Sequence, residues 1–457
     1  MPERGIWCAK ALLPGGWCES VRLVLTADGV IRSVVEAPAA QGDVVLPGIT
    51  IPGMPNAHSH GFQRLMTGLT GQLREGGDSF WGWRNTMYTL ANRISPEQLA
   101  DCMAFVYMEM LLAGYTSCVE FHYLHHQPDG RAYGQAAEMS LRVLAAADAA
   151  GISVTLAPVL YQVSGFGAAG PEAHQRRFSQ SLDAYLALLD DCRHQLEGRP
   201  LHRLGVAPHS LRAVPLDALR ALTGALPEND TPIHIHVAEQ PAEVEACLEA
   251  HGARPVELLL DRVGLDRRWC LVHATHVTAD ECTRAARSGA VAGVCPSTEA
   301  DLGDGFFGTP AWLDAGGRLA IGSDSNLRIS PSEELRLLEF AARLRTGTRQ
   351  VLRSPEQACG RFLYEHAAHG GAQALGQAVG QLDTGHRADL VELDAEHPLL
   401  VGRSQDEWLE SYVFGGHEGM IRSVFVGGEQ RVAEGRHPAE AALRERFASV
   451  TRALTAR

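Results

Sequence analysis

Histidines and a carboxylate stand at the ends of short apolar segments of this chain. His58 and His60 close one such segment, His236 closes a later one and Asp324 closes the last. Residues two apart in an extended strand point to the same side, so His58 and His60 can bind the same metal ion. Three imidazoles and a carboxylate suit Zn²⁺ or a similar divalent ion, with water completing the coordination. We therefore predict that these four residues bind a metal.

Two further groups could act beside that metal. Glu239 lies three residues beyond His236, where a carboxylate can reach a metal-bound water or a leaving nitrogen. His273 closes another apolar segment, between the metal and any bound substrate. Each alone could be a solvated loop acid or a strand-end cap. Together with the ligands they predict catalytic roles for Glu239, His273 and Asp324, the last as both ligand and base.

The elements that must position these residues alternate along the chain. Short apolar strands are separated by helical segments rich in alanine, leucine and glutamate, which is typical of βα units around a parallel sheet. The strands are predicted at 49–60, 117–123, 152–161, 203–210, 232–239, 269–276, 290–296 and 318–325. Eight strands with polar C-terminal ends predict a (β/α)8 barrel, which brings strands one, five and eight to one mouth.

The two ends of the chain have strand and turn patterns without helices. Residues 21–36 form two alternating runs around Ala27-Asp28-Gly29, a hairpin signal. We therefore predict an α/β protein, a (β/α)8 TIM-type barrel with a small β-sandwich domain built from both chain ends. The predicted units are 1–51 plus 385–435 for the β-sandwich domain, 52–384 for the metal-dependent barrel and 436–457 for a C-terminal helix.

Charge and cysteine usage narrow the class of protein. The 457 residues include 40 Lys+Arg and 54 Asp+Glu, a formal net charge of −14, which argues against nucleic-acid or anionic-membrane binding. The ten cysteines are scattered without a Cys-x-x-Cys pair, as expected in a reducing compartment. The sequence has neither a signal-peptide pattern nor an apolar run of about 18 residues. We expect a cytoplasmic protein that acts on a small molecule.

In its four predicted metal ligands the chain resembles the amidohydrolase superfamily. Its members take metal ligands from His-x-His on strand one, His on strand five and Asp on strand eight. Members with two metals bridge them with a carboxylated lysine on strand four. Here strand four ends at His209-Ser210, and the only lysine, Lys10, precedes the barrel. The resemblance thus implies one metal, Zn²⁺ or another divalent ion, and the deaminase branch, in which a Glu after the strand-five His shuttles protons.

Longer segments make the resemblance closer. They are PGMPNAHSHGFQRLMTGL (52–69), DSFWGWR (78–84), YMEMLLAGYTSCVEFHYLHH (107–126), APHSLRAV (207–214), HIHVAEQ (234–240), CLVHATH (270–276), CPSTEADLGDG (295–305) and IGSDSN (321–326). Over residues 10–430 the chain is similar to the formimidoylglutamate deiminases, which act in histidine degradation. It departs from their pattern at Asp301, where asparagine is expected.

That resemblance implies a substrate and the residues that hold it. The substrate is a formamidine carried on glutamate, which needs cations for two carboxylates and hydrogen-bond partners for the amidinium. A surface ion pair is the ordinary alternative for any one arginine. The implied substrate-binding residues are Arg84 and Arg212 for the carboxylates, with Gln63, Tyr123 and His209.

The predicted reaction is hydrolysis of N-formimino-L-glutamate to N-formyl-L-glutamate and ammonia. Hydroxide held on the single metal attacks the formimidoyl carbon while Asp324 takes a proton. Glu239 delivers a proton to the nitrogen, and His273 stabilises the tetrahedral intermediate. The alternatives are a guanine or 8-oxoguanine deaminase of the same branch, an N-formyl or cyclic-amide hydrolase, and a non-catalytic scaffold. The resemblance also implies a homodimer.

Overall fold

The computed structural model describes residues 4–71, 80–227 and 231–455. Within them the strands are β1 (Arg4–Leu13), β2 (Gly16–Leu25), β3 (Ile31–Glu36), β4 (Val44–Pro52), β5 (Met54–Ser59), β6 (Tyr115–His122), β7 (Ser153–Leu160), β8 (Arg203–Leu204), β9 (Ala207–Pro208), β10 (Ile233–Val237), β11 (Trp269–His273), β12 (Val291–Val294), β13 (Arg318–Ile321), β14 (Leu390–Leu393), β15 (Ile421–Val426) and β16 (Glu429–Val432). The α-helices are α1 (Phe80–Ala91), α2 (Pro96–Ala113), α3 (Glu138–Ala150), α4 (Leu182–Leu196), α5 (Leu216–Ala225), α6 (Pro241–His251), α7 (Pro255–Arg262), α8 (Ala279–Arg287), α9 (Pro296–Leu302), α10 (Thr309–Asp314), α11 (Pro331–Thr346), α12 (Cys359–Leu375), α13 (Asp406–Glu410) and α14 (Glu440–Thr455).

Helix α2 shows how local sequence sets the ends of these elements. The Ser95 side chain accepts the backbone N–H of Gln98 at 3.2 Å, and the Gln98 side chain accepts the backbone N–H of Ser95 at 3.0 Å. This reciprocal cap satisfies donors that a helix start leaves unpaired, and Pro96 fits the first turn because it has no N–H. The helix ends at Gly114, whose φ of 96° suits glycine.

Two sets of parallel strands form the barrel. One set has the order β5-β6-β7-β8, with β9 also paired to β7, and the other has the order β10-β11-β12-β13. Backbone bridges join the sets, from Ser59 to Asp324 on one side and from Ser210 to His236 on the other. The result is a closed (β/α)8 barrel, so the predicted fold class is confirmed.

Two of the predicted strands are divided in the structure. The segment 49–60 breaks at Gly53, because β4 belongs to the small sheet and β5 to the barrel. A Cβ at Gly53 would lie 2.3 Å from the Thr116 side chain, so only glycine lets the chain cross there. The segment 203–210 forms two short strands, β8 and β9. A continuous apolar run does not show where a chain changes sheets.

The small β domain draws strands from both ends of the chain. Its seven strands have the order β16-β15-β14-β4-β1-β2-β3. The hairpin predicted around Asp28 joins β2 to β3, and Val30 forms an antiparallel bridge with Arg387, just before β14. The sheet therefore curls over a core of its own that includes Ile6, Leu23 and Phe425. We retain the predicted boundaries at residues 51, 385 and 436 as a proposal.

Two helices pack closely against other elements of the fold. Helix α12 lies on β5 and β13 through Gly370 and Gly371, whose missing side chains let it approach the strands. Helix α14 lies at the predicted C-terminal position and packs on α2, where the Phe447 ring stacks on Phe105 with centroids 4.1 Å apart.

Two further features of the described residues concern membrane-spanning helices and cysteines. None of the helices that the structure describes is long and apolar enough to cross a bilayer. All ten cysteines are free thiols, and every one except Cys18 is buried.

The close approach of α12 gives a test of the fold. In Gly370→Ala the new Cβ would lie 2.0 Å from the backbone oxygen of Leu319 in β13, so helix or strand must shift. We expect a loss of about 1–3 kcal/mol in stability, measured as a lower thermal unfolding temperature. The matched control is Gly224→Ala in α5, where the Cβ meets nothing within 4 Å. A Gly370→Ala unfolding temperature at or above that of the wild type would contradict this packing.

Candidate metal centre and active site

The four predicted metal ligands converge at the C-terminal mouth of the barrel. The Nε2 atoms of His58, His60 and His236 lie 3.1, 3.2 and 3.4 Å from one another. The Oδ1 atom of Asp324 lies 3.5 Å from the Nε2 atoms of His58 and His60. All four side chains are buried. Residues from three distant parts of the sequence thus present four ligand atoms to one point.

The hydrogen bonds of two of these imidazoles show what they can bind. The Nδ1 atom of His60 lies 2.9 Å from the carbonyl oxygen of Phe121, and that of His236 lies 3.1 Å from the carbonyl oxygen of His209. A carbonyl can only accept, so both Nδ1 atoms carry the proton and both Nε2 atoms present lone pairs. Burial lowers the pKa of both rings, which keeps them neutral. Facing lone pairs repel unless a cation lies between them, so the arrangement fits a metal.

Barrel closure itself sets the position of Asp324. The backbone N–H of His60 donates to the Asp324 oxygen at 2.8 Å, and the Asp324 N–H donates to the His58 oxygen at 3.0 Å. Asp324 has a φ of 44°, an unfavourable value for a residue with a side chain. The Asn326 amide stabilises this backbone by donating to the Asp324 oxygen at 2.9 Å and to Ser59 Oγ at 3.1 Å.

The Asn56 side chain also links the ends of β5 and β13. Its Oδ1 atom accepts the backbone N–H of His58 at 3.3 Å and that of Ser323 at 3.1 Å. Its Nδ2 atom donates to Ser323 Oγ at 2.6 Å. The sequence analysis missed both Asn56 and Asn326. An amide inside a buried strand was the available signal, because such a group must find partners.

Glu239 and His273 lie beside Asp324. The Nε2 atom of His273 lies 3.8 Å from Glu239 Oε1 and 3.8 Å from Asp324 Oδ2. Burial lowers the pKa of His273, but Glu239, Glu299 and Asp324 outweigh burial and raise it to about 10. Burial raises the pKa of Glu239 above its ordinary value, although His273 opposes this. The pair therefore places a positive ring beside a carboxyl group whose pKa burial raises above its ordinary value.

Two glutamates that the sequence analysis missed hold this pair in place. Oε1 of Glu299, on α9, lies 3.2 Å from His273 Nδ1 and accepts the Cys295 N–H at 2.8 Å. Glu243, on α6, accepts the backbone N–H groups of Ala238 and Glu239, each at 3.1 Å. These bonds fix the turn after β10. A glutamate in the first turn of a helix was the available signal for Glu243, because such residues often cap the preceding loop.

Cys295 completes a second group of possible ligand atoms. The sulfur of Cys295 and the ligand atoms of His273 and Asp324 lie within 4.8 Å of one another. Burial, with Asp324 and Glu299 nearby, raises the pKa of the Cys295 thiol well above its ordinary value. A protonated thiol is a poor metal ligand. The histidine cluster is therefore the better metal site.

The only lysine and the one departure from the family pattern both lie away from this cluster. Lys10 is on β1, and its ammonium group lies 5.2 Å from the centre of the Trp408 ring. A bridging carboxylated lysine is thus absent, in line with a single metal. Asp301 is exposed on α9, so the departure does not alter the lining of the site.

A pocket opens from the cluster and brings the predicted substrate-binding residues together. The Nη1 atom of Arg212 is buried and has no hydrogen-bond partner among the described residues, and the same is true of Gln63 Oε1. The Arg84 guanidinium lies over the Tyr88 ring, 5.1 Å from its centre. Residues 78–79 of the motif before Arg84 lie outside the described residues. The predicted residues that line the pocket are Gln63, Arg84, Tyr123, His209 and Arg212, with His60, His236, Glu239, His273 and Asp324.

The rest of the pocket wall is largely aromatic and was not predicted. The Gln175 amide donates to the hydroxyl oxygens of Tyr88 at 3.2 Å and Tyr161 at 3.1 Å, which fixes both rings. No spacing in the sequence indicates this wall, because its members come from separate loops. The remaining lining residues are Trp83, Met87, Tyr88, Tyr161, Phe178 and Leu302.

Comparison with known proteins agrees with this geometry. The model of the amidohydrolase family matches residues 45–431. The solved structure of an amidohydrolase from Brucella melitensis superposes with a TM-score of 0.94 at 43% identity, covering 99% of this chain and 100% of that one. The chain therefore belongs to the amidohydrolase family, whose members depend on metal.

Within that family the matches are more specific. The model of the N-terminal domain of formimidoylglutamate deiminase HutF matches residues 3–44. The chain is 48% identical over 436 residues to the formimidoylglutamate deiminase of Pseudomonas aeruginosa, covering 95% of this chain and 96% of that one. The 8-oxoguanine deaminase of the same species is 28% identical over 392 residues, covering 85% and 83%. These findings confirm the resemblance to the formimidoylglutamate deiminases.

The converging lone pairs predict which histidines control metal binding. His236→Gln removes one of three imidazoles, so we expect affinity for Zn²⁺ to fall at least about 100-fold, measured by competition with a chromogenic chelator. The matched control is His234→Gln on the same strand, whose ring bonds the Ala374 carbonyl oxygen at 2.8 Å outside the cluster. Equal Zn²⁺ affinity in wild type and His236→Gln would contradict the assignment.

Proposed function

We propose that this protein hydrolyses N-formimino-L-glutamate to N-formyl-L-glutamate and ammonia. The observation that carries the proposal is the buried Nη1 of Arg212, which has no hydrogen-bond partner among the described residues and lies in the pocket that opens on the proposed metal ligands. A buried guanidinium nitrogen without a hydrogen-bond acceptor is costly, and a substrate carboxylate would satisfy it. The 48% identity to a formimidoylglutamate deiminase supports the same substrate.

The proposed metal is one Zn²⁺ ion held by His58, His60, His236 and Asp324. The fit rests on the lone pairs of His60 and His236, which face each other 3.4 Å apart. Three imidazoles and a carboxylate are typical of zinc sites in hydrolases. When bound, such an ion supplies a polarised water and a Lewis acid.

The proposed proton path uses residues next to that site. Burial opposes ionisation of Asp324, but His58 and the positive His273 ring hold its pKa well below the ordinary value, so it is a carboxylate. As the water attacks the formimidoyl carbon, Asp324 accepts a proton. Glu239 then protonates the substrate nitrogen, and the C–N bond breaks to release ammonia. The positive His273 ring stabilises the charge that develops on the tetrahedral intermediate.

Substrate binding in this proposal follows the chemistry of the pocket. Arg84 and Arg212 each take one carboxylate of the glutamate, because a guanidinium binds a carboxylate through two parallel hydrogen bonds. Gln63 donates to the Tyr123 hydroxyl oxygen at 2.9 Å, which leaves the Gln63 oxygen to accept from the amidinium. Burial with Arg212 nearby keeps the pKa of His209 well below its ordinary value, so this ring is neutral and can also accept.

Location and assembly are part of the same proposal. The ten free thiols support a cytoplasmic location. The homodimer stays a prediction from the family resemblance, and a sedimentation measurement of the native mass would test it.

The first experiment measures ammonia release by the zinc-loaded protein. We expect ammonia and N-formyl-L-glutamate from N-formimino-L-glutamate, and none from guanine or 8-oxoguanine. If only a purine releases ammonia, the protein is a hydrolytic deaminase but its substrate is the alternative one and not N-formimino-L-glutamate. If none of the three compounds releases ammonia, the protein is not the proposed deiminase.

The role of Glu239 predicts a variant that keeps its metal and loses turnover. In Glu239→Gln the amide cannot carry the proton, so kcat should fall about 10²- to 10⁴-fold. Zinc content should be unchanged, because Glu239 is not among the four ligands. The matched control is Glu245→Gln, on an exposed position of α6. Wild-type turnover in Glu239→Gln would disprove the proton-transfer role.

The role of Arg212 predicts a loss that depends on the substrate. Arg212→Gln should cost about 2–4 kcal/mol of binding free energy, which lowers kcat/KM for N-formimino-L-glutamate about 30- to 1000-fold. For a formamidine that lacks the carboxylate bound by Arg212, the variant should lose far less. The control is Arg220→Gln on an exposed position of α5. If Arg212→Gln lowers kcat/KM equally for N-formimino-L-glutamate and for analogues that lack one or the other carboxylate, Arg212 does not bind a substrate carboxylate.

A further inference from the structure

A second and larger cavity lies at the opposite end of the barrel. It has a volume of about 910 Å³ and lies where β10, β11, β12 and β13 begin, next to the end of α12. The metal ligands follow the other ends of these strands. From Arg318 to Asp324 the chain advances six residues, about 20 Å in extended conformation, so this cavity is separate from the active site. The basic residues that line it are Arg267, Arg268, Arg318, His366, His369 and His386.

We propose that this cavity is a binding site for a small anion that carries two or more negative charges. Three arginines and three histidines line it, and none of the described lining residues carries a carboxylate. The whole chain has a net charge of −14, so this concentration of basic groups differs from the rest of the protein. A concave surface of one sign raises the local concentration of ions of the other sign.

Two arginines of the cavity have no carboxylate partner among the described residues. Within the part of the chain that the structure describes, the guanidinium groups of Arg267 and Arg318 form no ion pair, whereas Arg268 pairs with Asp266 at 2.7 Å. The Nδ1 atom of His386 is buried and has no hydrogen-bond partner among the described residues. Two cations and a buried imidazole nitrogen therefore remain for a ligand.

Two histidines of α12 also line this cavity. His366 and His369 are three residues apart, so they share one face of the helix. Burial, with His366, Arg318 and His386 nearby, lowers the pKa of His369 to about 4. The His369 ring is therefore neutral at pH 7, and a bound anion would favour its protonated form.

The size of the cavity sets the class of ligand. About 910 Å³ is within the range of small-molecule sites and exceeds what a single chloride needs. Guanidinium groups match carboxylate and phosphate oxygens through paired hydrogen bonds. The ligand is therefore a polycarboxylate or a phosphate compound, and both share the chemistry of several anionic oxygens.

Titration calorimetry on the zinc-loaded protein tests the proposal. The probes are propane-1,2,3-tricarboxylate and inorganic phosphate, compared with acetate at equal ionic strength. We expect one of the two multivalent anions to bind once per chain with a Kd below about 1 mM, and acetate not to bind. The anion that binds tells whether the natural ligand is a carboxylate or a phosphate. If neither binds, the proposal is wrong.

Variants locate the binding. Arg318→Gln and Arg267→Gln change exposed side chains and should each weaken binding at least 10-fold, while kcat/KM for the enzyme's substrate stays unchanged. The matched control is Arg349→Gln, exposed and outside the cavity, which should bind as the wild type does. Arg212→Gln should also keep the binding. If Arg212→Gln abolishes it, or if Arg318→Gln and Arg267→Gln leave it intact, the anion binds elsewhere and the proposal is wrong.

Discussion

The active site depends on a pair of backbone hydrogen bonds that close the barrel. The N–H of His60 donates to the Asp324 oxygen, and the Asp324 N–H donates to the His58 oxygen. Because these bonds involve the ligand residues themselves, the step that closes the sheet also assembles the metal site. Asn56 and Asn326 reinforce this junction with their side-chain amides and hold Asp324 at a φ that its side chain disfavours. Stability and site geometry are therefore properties of the same contacts.

The nearest partners of each buried histidine then determine its protonation state. Carbonyl oxygens fix the protons of His60 and His236 on Nδ1, which leaves their Nε2 lone pairs for a cation. Less than 4 Å from Asp324, His273 has the opposite character, because Glu239, Glu299 and Asp324 make it a cation. Imidazole side chains thus supply both the neutral rings that we propose as metal ligands and the charged ring that we propose stabilises the intermediate. The difference comes from the nearest partners, since burial acts in the same direction on all of these rings.

Much of the fold and of the ligand set could be predicted from the sequence. Alternating strands and helices predicted the barrel, and polar residues after apolar strands predicted the positions of His58, His236 and Asp324. The family resemblance, rather than spacing, supplied Arg84, Arg212 and Gln63. Glu299 could not be predicted in this way, because it follows β12 while its carboxylate contacts His273 at the end of β11. Glu243 acts on the turn just before its own helix, and its place in the first turn of α6 was the only signal for it. The small sheet was predicted as a domain, but the crossing at Gly53 depends on the Thr116 side chain, which is distant in sequence.

The sequence by itself determined the kinds of groups available: the imidazoles and carboxylate of a metal site, arginine as almost the only cation, and a single lysine at position 10. These follow from residue type and period, which are local properties. Only the tertiary structure decided which nitrogen of His60 carries its proton, why His273 is charged, and that Arg212 has a buried donor without a partner in the described parts of the chain. The basic cavity is also a tertiary feature, since its residues come from four strand starts and a helix. The protonation state and the hydrogen bonds of a buried group depend on its neighbours in space, and those neighbours are set only when the barrel closes.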